Sequence, residues 1–237
     1  MRGLKALLFD KDGTLVHFDR TWGPAAGAVM RTLAEGNPAA LKRLEEVSEY
    51  LPDEERFLPS SPLVAGSSAH YGPLWAEALG CPADKDFLGL IDHLFREGGL
   101  HHLTPIGRPA EVLKHLRDAG LRLAIVTNDA EASARDQARA LGVLSYFDAV
   151  HGYDSGYGSK PDPGMVSAVA EQFALEPQEM AVIGDSVHDF TAARSAGARF
   201  ILVRTGPAPV EHLYGEADLV VDSIDDLPAH LLEAVPC

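Results

Sequence analysis

Cysteine is scarce in this chain. Cys81 and Cys237 are the only two in 237 residues, and their spacing matches no metal or redox motif. Both read as free thiols in a reducing cytoplasm. Basic residues are also few, with 20 Lys and Arg against 35 Asp and Glu, a formal charge of −15. Such an acidic surface argues against nucleic-acid and anionic-membrane partners, so an anionic substrate must be drawn in by a local site. From Glu211 onward there is no Lys or Arg and several acids, which reads as a solvated acidic face. No segment reaches the ~18 apolar residues of a membrane span. The opening "MRGLKALLFDKD" does not read as a signal peptide, because its apolar run is short and ends in charges. Internal repeats, low-complexity tracts, a Walker loop, zinc-ligand spacing and "GxSxG" are all missing.

What is present reads as a globular chain. The hydrophobic fraction of 46% rules out general disorder, and the length suits one large domain or one domain plus a smaller one. Four short apolar runs stand out: "ALLF" (6–9), "LRLAIV" (121–126), "MAVI" (180–183) and "FILV" (200–203). They are near-continuous rather than alternating, the pattern of strands buried on both faces of a parallel sheet. Helical patterns at 108–120, 131–142, 162–174 and 187–197 separate or follow them. This alternation predicts an α/β fold with a doubly wound, Rossmann-like parallel sheet. Residues 16–100 read differently, as helix after helix ("PAAGAVMRTLAEG", "NPAALKRLEEVSEYL", "YGPLWAEALG", "DKDFLGLIDHLFREGG") with no strand between them. The expected organisation is therefore an α/β core of residues 1–15 and 101–237, with a helical domain of 16–100 inserted after the first strand.

The strand ends carry the chemistry. In a parallel sheet the C-terminal ends share one edge, where ligands bind. "LLFDKDGTLV" runs a buried strand straight into Asp10 and Asp12, two like charges that repel more strongly when buried and that a cation would reconcile. Gly13 lets the chain turn there. Thr127 and Asn128 follow the second strand and Asp185 follows "MAVI"; Lys160, in "GSKPDP", lies at a helix entrance within reach of the same edge. Singly, each has an ordinary role as a helix cap, a turn residue or a surface lysine. Jointly they place three carboxylates, a hydroxyl and an ammonium at one mouth. Asp189, four residues after Asp185, shares a helix face with it if the helix begins that early.

The segments "DKDGTL", "VTND", "GSKPDP" and "GDSVHD", in this order and at these spacings, resemble the four motifs of the haloacid dehalogenase-like hydrolase superfamily, most closely its phosphoglycolate-phosphatase-like subgroup. The resemblance spans nearly the whole chain and implies that the 16–100 insertion is a helical cap that closes over the site. It implies a phosphatase acting on a small-molecule phosphate ester, with phosphoglycolate as the default substrate. Asp10 would be the nucleophile and form an aspartyl-phosphate. Mg²⁺ would be held by Asp10, Asp185 and the backbone carbonyl of Asp12, oxygen ligands suited to a hard cation. The Asp12 side chain would be the general acid and base. Gly13, Thr127, Asn128 and Lys160 would line the phosphate site, Thr127 binding its oxygens and Lys160 balancing charge. Asp189 would orient Lys160 or metal-bound water. Monomer and homodimer are equally open.

Rival readings are weaker. A dehalogenase needs neither Asp12 nor a metal. A phosphomutase shares the motifs and stays open as an alternative. A phosphonatase needs a cap lysine, for which Lys42 and Lys85 are unremarkable candidates. A signalling receiver is shorter and lacks the helical insertion, and a silent phosphate-binding protein would not need all four motifs. Substrate choice falls to the insertion, where Arg43, Arg56, His70 and Tyr71 are candidates; His17 and Phe18 depart from the small acid or Ser that relatives place after the first motif.

Overall fold

The computed structural model describes residues 1, 3–64 and 66–232, so Cys237 lies outside the described residues; Cys81 is exposed and unbridged. The chain forms two compact units, Met1–His17 with Pro105–Cys237, and Phe18–Thr104.

The first unit is built on a six-stranded sheet. Its strands are β1 (Ala6–Phe9), β4 (Arg122–Val126), β5 (Ala149–His151), β6 (Met180–Gly184), β7 (Arg199–Val203) and β8 (Leu219–Val221), in the order β5-β4-β1-β6-β7-β8. β2 (Tyr50–Leu51) and β3 (Arg56–Phe57) belong to the second unit. All five pairings are parallel. Every residue of β1 is buried, because side chains on both faces find cover. Leu8 joins Val182 and Phe200 in one apolar cluster, whereas Leu7 and Phe9 join Ile125, Ile183 and Ile201 in the other. That is the two-residue alternation of a strand, with each face meeting a separate layer of helices. Helices α7 (Gly164–Phe173) and α8 (Val187–Ala196) supply the first layer; α5 (Pro109–Asp118), α6 (Glu131–Ala140) and α9 (Leu227–Leu232) supply the second.

β1 fixes the position of the site. The sheet grows from it to one side through β4 and β5, and to the other through β6, β7 and β8. Phe9 stands opposite Ile125 on one neighbour and Ile183 on the other. Asp10, and one residue further along its neighbours Thr127 and Asp185, thus emerge together at a topological switch point, where doubly wound sheets bind ligands.

The second unit is helical, with α1 (Phe18–Leu33), α2 (Pro38–Val47), α3 (Ser68–Leu79) and α4 (Lys85–His101). Asn37 caps α2 by accepting from the Ala39 and Ala40 amides, and Asp84 caps α4 by accepting from Phe87. Trp22, Trp75 and Phe95 pack ring against ring in the core, and the Trp75 indole donates to Ser48 Oγ at 2.8 Å.

Four expectations need correction. A short hairpin, β2 (Tyr50–Leu51) with β3 (Arg56–Phe57), interrupts the helices of the second unit. Its two-residue strands are too short to show a period; the Tyr50–Phe57 ring contact and the Tyr50 hydroxyl, which donates to Gly23 O, hold it in place. Helix α1 begins at Phe18, and Pro24 lies inside it rather than at its start. Strands β5 and β8 lie at the sheet edges and have three residues each, too few for an apolar run to register. The chain after Glu211 is not merely a solvated face, because Leu213, Val221, Ile224 and Leu227 are buried in the core of the first unit.

This last correction is testable. Ile224→Ala should lower the free energy of unfolding by about 2–5 kcal/mol in a denaturant titration, the cost of a large-to-small change in a packed core. A solvated tail would give a change within about 0.5 kcal/mol.

Candidate active site

Asp10 continues the line of β1, its amide donating to Ile183 O on β6 at 2.8 Å. The chain then turns tightly. Lys11 O accepts from the amides of Thr14, Leu15 and Val16, and Gly13 takes φ +82°, a conformation open to glycine. Gly13 also lets the loop lie against Asp185, since a Cβ there would overlap the Asp185 carboxylate; a Cβ at Gly206 would do the same from the other side. Thr205 donates its hydroxyl to Gly13 O, tying the loop after β7 to the first motif.

Lys160 reaches this edge from the loop before α7. Its ammonium donates to Asp10 Oδ1 and to Asp189 Oδ1, each at 2.6 Å. Asn128 sets its position: the carboxamide Nδ2 donates to Lys160 O, and Lys160 N donates to Oδ1, both at 2.8 Å. Asn128 thus spends both ends of its side chain on the Lys160 backbone. Thr127 is buried, its amide donating to His151 O and its hydroxyl accepting from the Asp129 amide.

α8 begins at Val187 with Ser186 as its N-cap, so Asp185 lies outside the helix and does not share a helical face with Asp189. Asp189 Oδ2 accepts from the Ser186 amide and hydroxyl, closing a capping box. One carboxylate oxygen of Asp10, of Asp185 and of Asp189 nevertheless lie within 4.8 Å of one another, and all three residues are buried.

Their charges conflict. Burial first, then repulsion from Asp189 and Asp12, raise the Asp10 carboxyl to about 7 against the pull of Lys160. Burial raises Asp185 well above the ordinary carboxylate range, and repulsion from Asp10 and Asp189 adds to this. Burial disfavours the Lys160 charge, but Asp10 and Asp189 outweigh it and hold the ammonium above the ordinary lysine value. One ammonium among three buried carboxylates leaves an excess of negative charge. The donors are all hard oxygens, which fits Mg²⁺. Asp10 and Asp185 have the chemistry to ligate it. Asp189 is less suited, because Lys160 engages one of its oxygens and Ser186 the other.

Several residues escaped sequence reasoning. Lys11 is buried, and its ammonium donates to Asp12 Oδ1 at 2.7 Å and Gln137 Oε1 at 2.9 Å, and stands 3.2 Å from Asp129 Oδ2. Burial disfavours its charge, but Asp12 and Asp129 more than offset this and raise it above the ordinary lysine value. Thr205 and Gly206 follow a strand end, a positional signal that marks them only in retrospect.

The substrate-selecting candidates divide. Arg43 Nε donates to Ala78 O at 2.7 Å and holds α2 to α3, while Tyr71 packs in the core against Trp75 and Phe95. Both are structural. Arg56 pairs with Glu54, and His70 is exposed with Nδ1 3.1 Å from Ser67 Oγ.

The family model described as haloacid dehalogenase-like hydrolase matches residues 4–197. A phosphoglycolate phosphatase of Vibrio vulnificus is 32% identical over 235 residues, covering 98% of this chain and 96% of its own length. Its counterpart from Nitrosospira multiformis is 31% identical over 226 residues, covering 93% and 92%. The crystal structure of a predicted phosphoglycolate phosphatase from Haemophilus somnus 129PT shares the fold with a TM-score of 0.74 at 20% identity, covering 97% of this chain and 99% of that one. With the family matched from before β1 to the end of α8, and the switch-point residues assembled as described, the chain belongs to the haloacid dehalogenase-like hydrolases.

Proposed function

We propose that the protein is a Mg²⁺-dependent phosphatase that hydrolyses a small phosphate monoester through an aspartyl-phosphate on Asp10, with phosphoglycolate the first substrate to test. The observation that carries this reading is the buried Asp10–Lys160–Asp189 triad at the end of β1, with the Asp185 carboxylate beside it. The names of the curated relatives support the substrate class. The small ester is the expected partner of a monomer or homodimer in a reducing cytoplasm, where an exposed thiol such as Cys81 stays intact.

In the first step an Asp10 carboxylate oxygen bonds to phosphorus, the ester P–O bond breaks, and Asp12 gives its proton to the leaving alkoxide. In the second, Asp12 takes a proton from water, the water oxygen bonds to phosphorus, and the Asp10–phosphorus bond breaks to release phosphate. Lys160 compensates negative charge beside Asp10 throughout, and Asp189 keeps the ammonium aimed there. Thr127 and the backbone around Asn128 bind the non-bridging oxygens. Bound Mg²⁺, held by Asp10, Asp185 and the Asp12 carbonyl, would reduce the repulsion between the nucleophile and the anionic phosphate.

We also assign the Phe18–Thr104 unit the part of a substrate-selecting cap. Its insertion immediately downstream of the Asp10–Gly13 segment supports this assignment. Arg56→Ala and His70→Ala should reorder KM across a panel of phosphate esters, with kcat on an aryl phosphate kept within about threefold, because cap contacts act on binding. Unaltered ranking in both variants would remove these residues from the cap's selecting role.

Protons and metal compete for the same carboxylates. The folded value of Asp10, about 7, lies above its unfolded range, so its contribution to metal-free stability is full at acid pH and is lost as pH rises through about 7. Mg²⁺ takes up the ionised form. The Mg²⁺-induced rise in Tm should therefore be larger at about pH 8 than at about pH 6, and a chelator should abolish turnover until Mg²⁺ is restored. Full turnover in chelator would overturn the metal assignment.

Asp10→Asn should eliminate the covalent intermediate. Asp12→Asn should slow both steps for poor leaving groups, by about 10²–10⁴. With an activated aryl phosphate, Asp12→Asn should accumulate phosphate on Asp10, detectable by mass spectrometry of the quenched enzyme. Phosphate on Asp12, or full activity in Asp10→Asn, would reverse the roles.

A further inference from the structure

Lys11 sits between the two motif aspartates and is 2% exposed. An ammonium so deeply buried is costly unless its donors are met. Here two hydrogen-bond acceptors and one further carboxylate, from two parts of the chain, meet the charge. Asp12 Oδ1 lies at 2.7 Å, and Gln137 Oε1, 126 residues away on α6, at 2.9 Å. Asp129 Oδ2, on the segment that leads into α6, lies at 3.2 Å. Gln137 is fully buried, so its carboxamide is a fixed anchor rather than a mobile surface group. The reach of Lys11 thus joins the loop after β1 to the helix after β4.

Asp12 stands in a tight turn, and its side chain is 17% exposed. A carboxylate at such a place has several rotamers open to it, and proton transfer requires one of them. We propose that Lys11 is a positioning residue for proton transfer: it pins the Asp12 carboxylate through Oδ1 and braces it against Gln137 and Asp129. This rests on the reading of Asp12 as the general acid and base. Lys160, by contrast, faces Asp10 and Asp189, so the two buried lysines serve different carboxylates.

The two roles open to Lys11 make different kinetic predictions. A lysine that only keeps the loop folded would slow all esters alike. A lysine that positions Asp12 matters most where the leaving group needs a proton. The test uses Mg²⁺-loaded full-length enzyme and a series of phosphate esters from alkyl to 4-nitrophenyl. Lys11→Met, which removes the ammonium and keeps the stem, should lower kcat on alkyl esters by about 10²-fold, the scale of a misplacement near 1 Å, with KM little changed. Release of 4-nitrophenolate in the first turnover should fall by less than about threefold, because that leaving group needs no acid. Lys11→Met should add almost nothing in an Asp12→Asn background. Gln137→Met, which leaves Lys11 and Asp12 in place and removes the brace, should give the same pattern at about a tenth of the size, and it decides the matter if Lys11→Met does not fold. An equal loss on all esters, or a loss that adds to that of Asp12→Asn, overturns the proposal. If Asp12→Asn steepens the leaving-group dependence and the Lys11 and Gln137 variants do not, positioning alone fails. If Asp12→Asn itself shows no such dependence, the acid–base assignment fails and the proposal with it.

Discussion

The ammonium of Lys160, shared by Asp10 and Asp189, is the contact on which the rest of the site depends. Without it the sheet edge would hold buried carboxylates with no positive charge among them, and burial would drive them to take up protons. With it, one oxygen of Asp10 and one of Asp189 are fixed, while Asp185, which has no such partner among the described residues, is pushed well above the ordinary carboxylate range by burial and by repulsion from both. A buried ion pair of this kind contributes little net stability, because desolvation consumes the Coulombic gain. Its stability has to come from elsewhere in the molecule.

It comes from the two apolar faces of the parallel sheet. β1, β6 and β7 hold bulky aliphatic and aromatic side chains on both sides, each side packed under its own helices. The strands run parallel, with Phe9 opposite Ile183, so the order that fills the core also brings Asp10 and, one residue further along, Asp185 out at the same edge. Small residues then let the charged loops close in. Gly13 and Gly206 leave room for the Asp185 carboxylate where any side chain would intrude. Packing supplies the free energy, and the glycines determine how near the polar groups approach.

Much of this was legible in the sequence, for a physical reason. β1, β4, β6 and β7 are buried on both faces and so appear as apolar runs, and the reactive residues follow directly at their ends. The start of α2 was legible because a side chain does the capping there, at Asn37. What was not legible depends on distance or brevity. Lys11 looks like a solvated lysine beside acids until Gln137, 126 positions on, is brought against it. The Tyr50–Phe57 hairpin and the edge strands are too short to carry a period. Acidic composition after Glu211 masks Ile224 and Leu227, whose spacing of three places both on the buried side.

Asn128 has a wider meaning for the loop that delivers Lys160. The far end of that loop is sewn to Asn128 by two hydrogen bonds, and its near end is held by Tyr153 N on Asp129 O and by Asp154 Oδ1 on Glu131 N. Both ends are therefore referenced to the same few residues after β4. Between them the Tyr157 ring packs on His151 and the Tyr157 carbonyl lies against Gly164, so the middle of the loop is held as well. A change of loop length there would disturb that middle contact first, while the two Asn128 bonds beside Lys160 keep the lysine backbone in place.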